Sequence, residues 1–155
     1  MSSAFVKEAD GSDVIENLAE RPVSEHPNFV TAEGLATIES ELERVHREYA
    51  QAQAENDRAT LARTARDLRY WTSRRTTAQV IAPPDGDAQV QFGSTVSIER
   101  DDGRRQTFHI VGEDEADPAR GTLSHAAPLA RALFGRSVGD VVKAGQSEAE
   151  IVEIA

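Results

Sequence analysis

The most constraining feature of the chain is a run of apolar side chains at Leu35, Ile38, Leu42, Val45, Tyr49 and Ala52. Their spacing alternates three and four residues, which places them on one narrow stripe of an α-helix and gives a heptad seam. Thr31 precedes the seam as a candidate N-cap, and Glu33 falls in the first turn, where the helix dipole favours an acid. A second stripe follows at Leu61, Ala65, Leu68 and Trp71 or Thr72, with Trp71 expected to face inward. Between the two lies Ala54-Glu55-Asn56-Asp57-Arg58, which has no glycine or proline but two good capping residues. One-striped helices cannot be buried all round. The economical arrangement is an antiparallel helical hairpin whose two stripes cover each other.

Charge supports that pairing. Residues 29–58 carry a net −4, and residues 59–76 carry +4, the one positive block in a chain of net charge −10. An acidic first arm beside an arginine-rich second arm favours one register. The competing reading of Arg63, Arg66, Arg69, Arg74 and Arg75, a surface for nucleic-acid phosphates, conflicts with the overall negative charge. Hydrophobic residues make up 39% and charged residues 28%, so part of the chain is expected to be long and solvated rather than packed. Residues 1–28 hold six acids, two prolines and few large apolar side chains, and read as a flexible acidic extension.

Pro83 and Pro84 end the helical pattern, and residues 81–87 read as a linker. From there the period falls to two. Val90 and Phe92, then Val96 and Ile98, predict strands, and Asp101-Asp102-Gly103 predicts a hairpin turn. Phe108 and Ile110 continue the alternation, Leu123 marks a short strand, and Pro128 to Phe134 predicts a short helix with Gly135 past its end. Val141 and Val142, then Ile151, Val152 and Ile154, predict two last strands. Residues 88–155 are thus expected to form a small α+β domain behind a hairpin over residues 29–80.

Several chemistries are disfavoured. The chain has no cysteine, and its four histidines (His26, His46, His109, His125) show no ligand spacing. Ser24, Ser40 and Ser97 lack the neighbours of a catalytic triad, and no glycine-rich phosphate loop is present. No apolar run approaches a membrane span, and the N-terminus does not read as a signal peptide, so a cytoplasmic chain without membrane contact is expected.

Short segments in a fixed order then resemble a known family. Val90-Gln-Phe-Gly-Ser-Thr-Val96, His109-Ile-Val-Gly-Glu-Asp-Glu-Ala-Asp117 and Ala127-Pro-Leu-Ala-Arg-Ala-Leu-Phe-Gly135, followed by Val138-Gly139-Asp140, resemble the C-terminal domain of the GreA/GreB transcript-cleavage factors. Upstream, Val30-Thr31-x-x-Gly34-Leu35 and Ala78-Gln79-Val80-Ile81 resemble the two ends of that family's coiled coil. The resemblance spans roughly residues 29–155. It implies an FKBP-like fold for the C-terminal domain, which would grip the rim of the RNA polymerase secondary channel. Asp114, Glu115, Asp117, Pro128, Leu129 and Arg131 would be the polymerase contacts. The coiled coil would enter the channel.

In that family the factor is not itself an enzyme. Acids at the hairpin tip help hold a Mg²⁺ ion that belongs to the polymerase, and a backtracked RNA is cut. The resemblance therefore implies no cofactor of the chain's own, a monomer partnered with RNA polymerase, and contact with nucleic acid only through it. The usual acidic tip pattern is absent; its nearest substitutes are Glu55 and Asp57. The hairpin also aligns as about two turns per arm shorter, or about 11 Å. Three readings of the tip stay open: acids that direct a metal, helix caps that solvate a turn, or a plug without chemistry. The Rnk family, with a similar domain and a short coiled coil, represents a regulator that occupies the channel without stimulating cleavage. Residues 107–140 look more like the Gre proteins. Peptidyl-prolyl isomerase activity would need an aromatic pocket, and only Phe108 and Phe134 are available after residue 100.

Overall fold

The structure, a computed structural model, describes residues 18–155. Its elements in chain order are β1 (Phe29–Val30), α1 (Ala32–Glu55), α2 (Arg58–Thr77), β2 (Gln79–Val80), β3 (Thr95–Arg100), β4 (Arg105–Val111), a 3-10 turn (Pro118–Arg120), β5 (Thr122–Ser124), α3 (Pro128–Leu133), β6 (Val141–Ala144) and β7 (Ser147–Ile154). The class is α+β: two packed helices, then a mixed sheet. Contacts divide the described residues into a helical unit, residues 18–25 and 39–76, and a β unit, residues 26–38 and 77–155. Residues 1–17, most of the acidic extension inferred from composition, lie outside the described residues.

In the helical unit the heptad of α1 is realised. Val45 and Ala52 are buried, and Leu42 and Tyr49 are half-buried beside them. The arms run antiparallel, and the charge pattern pairs across them: Arg63 meets Glu48 at 3.0 Å, and Arg75 meets Glu39 at 3.5 Å. The stripe of α2 differs from expectation. Thr64, Asp67, Trp71 and Arg74 are its buried residues, whereas Leu61, Ala65 and Leu68 are half-buried. The sheltered ridge is therefore largely polar. Its carboxylate is compensated, since Asp67 is reached by Arg21, Arg63 and Arg66, as a sheltered charge must be. Residues 18–25 supply that Arg21 and rest on α2.

In the β unit five strands pair in the order β5-β4-β3-β7-β6, parallel between β4 and β5 and antiparallel elsewhere. Val96 and Ile98 of β3, Ile110 of β4 and Ala149, Ile151 and Ile154 of β7 point to one face, where Leu133 and Ala130 of α3 and the flanking Val90 complete a core. The step from Ile151 to Ile154 breaks strict alternation. A bulge opposite Ser97 and Ile98 inserts an extra β7 residue and restores the inward face. Asp101-Asp102-Gly103 makes the expected turn between β3 and β4, with Gly103 at φ +83.

A second expectation, in the β unit, is corrected. Val90 and Phe92 do not lie on a strand: the backbone turns at residues 91–94, where the Gln91 N–H donates to Ser94 Oγ at 2.9 Å and the Ser94 N–H donates back to the Gln91 carbonyl at 3.0 Å. Gly93 sits at φ +87, a conformation that extended pairing cannot use. The two-residue parallel pair of β1 with β2 is not visible in the sequence pattern. It joins the segment before the hairpin to the segment after it.

Candidate functional site

Two residues, Asn56 and Asp57, separate α1 from α2 in the hairpin turn. Asn56 takes the left-handed conformation at φ 52, closing α1: the Asp57 N–H reaches the Ala52 carbonyl at 3.0 Å and the Asn56 N–H the Gln53 carbonyl at 3.4 Å. This is the double closure typical of a helix C-terminus, and Asn is among the few non-glycine residues that accept it. Asp57 then serves as the N-cap of α2. One carboxylate oxygen accepts from the Thr60 N–H at 3.1 Å, and the other accepts from the Thr60 hydroxyl at 2.7 Å. The Thr60 hydroxyl and N–H hold the Asp57 carboxyl below the usual range. Glu55 is exposed and accepts one bond, from Gln51 Nε2 at 3.2 Å. The two tip acids are therefore chemically unlike. Asp57 is engaged at both oxygens, while Glu55 offers a carboxylate to whatever the tip meets.

In the β unit the acidic segment after β4 is a set of internal fastenings. The Glu115 carboxylate accepts from the Thr31 N–H at 3.0 Å, the Gly112 N–H at 3.2 Å and the Thr31 hydroxyl. Thr31 in turn caps α1, its hydroxyl oxygen accepting from the Gly34 N–H at 3.0 Å. This explains Thr31-x-x-Gly34: a Cβ at Gly34 would lie 1.9 Å from Glu115 Oε2. Asp117 caps the 3-10 turn through the Ala119 N–H at 3.0 Å. Asp114 is half-buried. Pro128 and Arg131 of α3 are exposed and Leu129 is half-buried, which leaves that short helix displayed. Its N-cap, Ala127, offers no side-chain acceptor, and Pro128 begins the helix without needing one.

Residues 84–155 match the family described as transcription elongation factor, GreA/GreB, C-term. Transcription elongation factor GreA of Desulfovibrio desulfuricans is 37% identical over 135 residues, which cover 85% of this chain and 79% of that protein. This alignment carries the likeness through hairpin and sheet together. The chain belongs to the GreA/GreB family of transcription elongation factors. The GreA of Alkalilimnicola ehrlichii is 48% identical over 84 residues, half of this chain and 53% of that protein. A GreB of Neisseria meningitidis serogroup B is 43% identical over 95 residues, 57% of this chain and 58% of that protein. Against these two, the chain spans little more than half of the relative's length.

Membership places the two acidic groups in context. Sequence reasoning singled out Glu55 and Asp57 together, and the structure brings them to one turn with different partners. It also grouped Asp114, Glu115 and Asp117, without the signal that Glu115 belongs to the cap of a helix beginning at residue 32. The expected N-cap, Thr31, does cap α1; what sequence reasoning missed is Gly112 and the meeting of Thr31, Gly34 and Gly112 on the Glu115 carboxylate. A cleft of about 490 Å³ beside the start of α1 is lined by Thr31, Glu33, Val80, Ile81, Pro83 and His109 among others. No Phe, Tyr or Trp lines it. Among the described residues, no group of three or more potential ligands is arranged to hold a metal, and no helix is long and apolar enough to cross a membrane.

Proposed function

We propose that this Gre-family chain docks on bacterial RNA polymerase at the secondary channel and helps rescue backtracked complexes by stimulating transcript cleavage. It acts as a cytoplasmic monomer, without chemistry of its own and touching nucleic acid only through the polymerase. The observation that carries the reading is family likeness extending over both hairpin and sheet, joined to an acidic, exposed turn at the hairpin end. In this reading the displayed α3 face (Pro128, Leu129 and Arg131) and the loop acids Asp114 and Asp117 contact the polymerase. Glu115 acts by holding that loop. At the tip, Glu55 is the acid free to add an oxygen ligand to a loosely held Mg²⁺ of the polymerase, where two cations flank an in-line displacement of the phosphoryl group. Asp57 fixes the turn that presents it.

The test is RNA cleavage by backtracked polymerase complexes with wild-type protein, Glu55→Ala and Asp57→Asn. Asparagine keeps the N-cap and removes the charge. Stimulation by wild type and Asp57→Asn, with loss in Glu55→Ala at unchanged polymerase affinity, supports the reading. Binding without stimulation by wild type refutes cleavage. One observation favours the second reading, a regulator that occupies the channel: both Asp57 oxygens are engaged within the turn, so the tip presents a single free carboxylate.

A further inference from the structure

The segment before the hairpin occupies a defined site on α2. The Glu20 carboxylate accepts from Arg69 Nε at 2.9 and 3.0 Å through its two oxygens. The Arg21 guanidinium lies 3.9 Å from the Tyr70 ring centroid and 5.4 Å from that of Trp71, and it meets Asp67 at 3.5 Å. Tyr70 and Trp71 form an edge-to-face pair with centroids 5.0 Å apart, so the arginine rests on a prepared aromatic corner. From these contacts we infer that residues 18–25 form a releasable strap on α2 that limits how far the hairpin can enter the polymerase channel. The inference rests on the channel-docking reading above.

Two features make the strap releasable. Its Glu20–Arg69 ion pair is exposed and screened by salt, and such pairs contribute little to stability. Its departure also leaves no stranded charge, because Asp67 keeps Arg66 at 3.1 Å and Arg63 at 3.6 Å. A segment needed for folding would be held by apolar burial, yet Leu18 and Val23 are exposed. Position gives the strap its consequence. Asp67 and Trp71 lie ten and fourteen residues beyond Asp57, about 15–21 Å from the tip at about 1.5 Å per residue. A bound strap therefore thickens the hairpin about midway along α2.

Trp71 is the chain's single tryptophan, so its emission reports the strap directly. The full-length chain and Arg21→Ala would be compared for Trp71 emission between low and high salt, for polymerase affinity, and for stimulation of cleavage in backtracked complexes. The expected result is a salt-dependent emission change in wild type that is absent in Arg21→Ala. Arg21→Ala should also show a roughly tenfold shift toward the open strap, from the loss of a partly desolvated cation–π contact, and higher stimulation at unchanged affinity. If Arg21→Ala leaves the emission unchanged, the strap does not dock in solution and the inference fails. If emission changes but stimulation does not, the strap is no gate. Failure of wild type to bind polymerase would instead remove the functional reading, and the gate with it, whatever the emission shows.

Discussion

Replacing Gly34 by alanine tests the fastening between Thr31, Gly34 and Glu115. In an ordinary helix the substitution stabilises by up to about 1 kcal/mol, because glycine loses more backbone freedom. Here the new Cβ would fall 1.9 Å from Oε2 and 2.5 Å from Cδ of Glu115. The obstacle is the end of a flexible side chain, so Glu115 can swing away, but only by giving up the Thr31 N–H, the Thr31 hydroxyl and the Gly112 N–H. Losing bonds to a half-buried carboxylate costs about 3 kcal/mol after allowance for solvent. The net effect is a destabilisation of about 2 kcal/mol, a fall in Tm of about 4–8 °C for a chain of this size. Thermal unfolding followed by circular dichroism measures it, together with Glu115→Ala and the double mutant. In the Glu115→Ala background the clash is gone, so Gly34→Ala should become neutral or stabilising. This inversion of sign is the signature of a direct contact. A rise in Tm for Gly34→Ala in the wild-type background would refute the reasoning.

The turn offers further tests. The depressed Asp57 pKa means its capping contribution is fully present above the ordinary Asp value of 3.8 and is lost as pH falls through the lowered folded value. Acid fraying of the hairpin, read as helical ellipticity below about pH 4, should therefore be steeper in wild type than in Asp57→Asn; equal slopes would dismiss the cap. Asn56→Gly should stabilise by about 0.5–1 kcal/mol in urea unfolding by relieving the left-handed residue, and Asn56→Val should do the reverse. Leu133→Ala, which removes a fully buried core side chain, should cost about 2–5 kcal/mol in the same assay.

The hairpin was legible because its signal is local. Val45 and Ala52 face inward at heptad spacing, and Glu39 and Glu48 find Arg75 and Arg63 across the turn. The sheet was legible for the same reason except at Val90 and Phe92, where alternation continues through a turn that Gly93 and Ser94 impose. The α2 stripe was right at Trp71 and one position off before it, where Thr64 and Asp67 are buried in place of Ala65 and Leu68. Hydrophobic periodicity counts apolar residues, and the sheltered ridge of this helix is built from Thr64, Asp67 and Arg74 around Trp71. One of the residues that make such a ridge tolerable, Arg21, comes from a segment whose composition reads as solvated.

The same limit governs the candidate site. A carboxylate in a sequence says that charge is present, but its availability depends on which N–H and O–H groups the fold brings to it. Glu115 lies 84 residues from its partner Thr31, and no local pattern reveals that pairing. Asp57 is a local case, since its partner Thr60 stands three residues on at the start of a helix, and the capping reading was accessible from the outset. Sorting acids by the donors around them leaves Glu55 as the more available of the two tip acids, with a single amide partner. A factor that offers the polymerase one free carboxylate at its tip has less to contribute to metal binding than one that offers two. The relative cleavage activity of Glu55→Ala and Asp57→Asn is therefore the comparison on which the metal-directing reading turns.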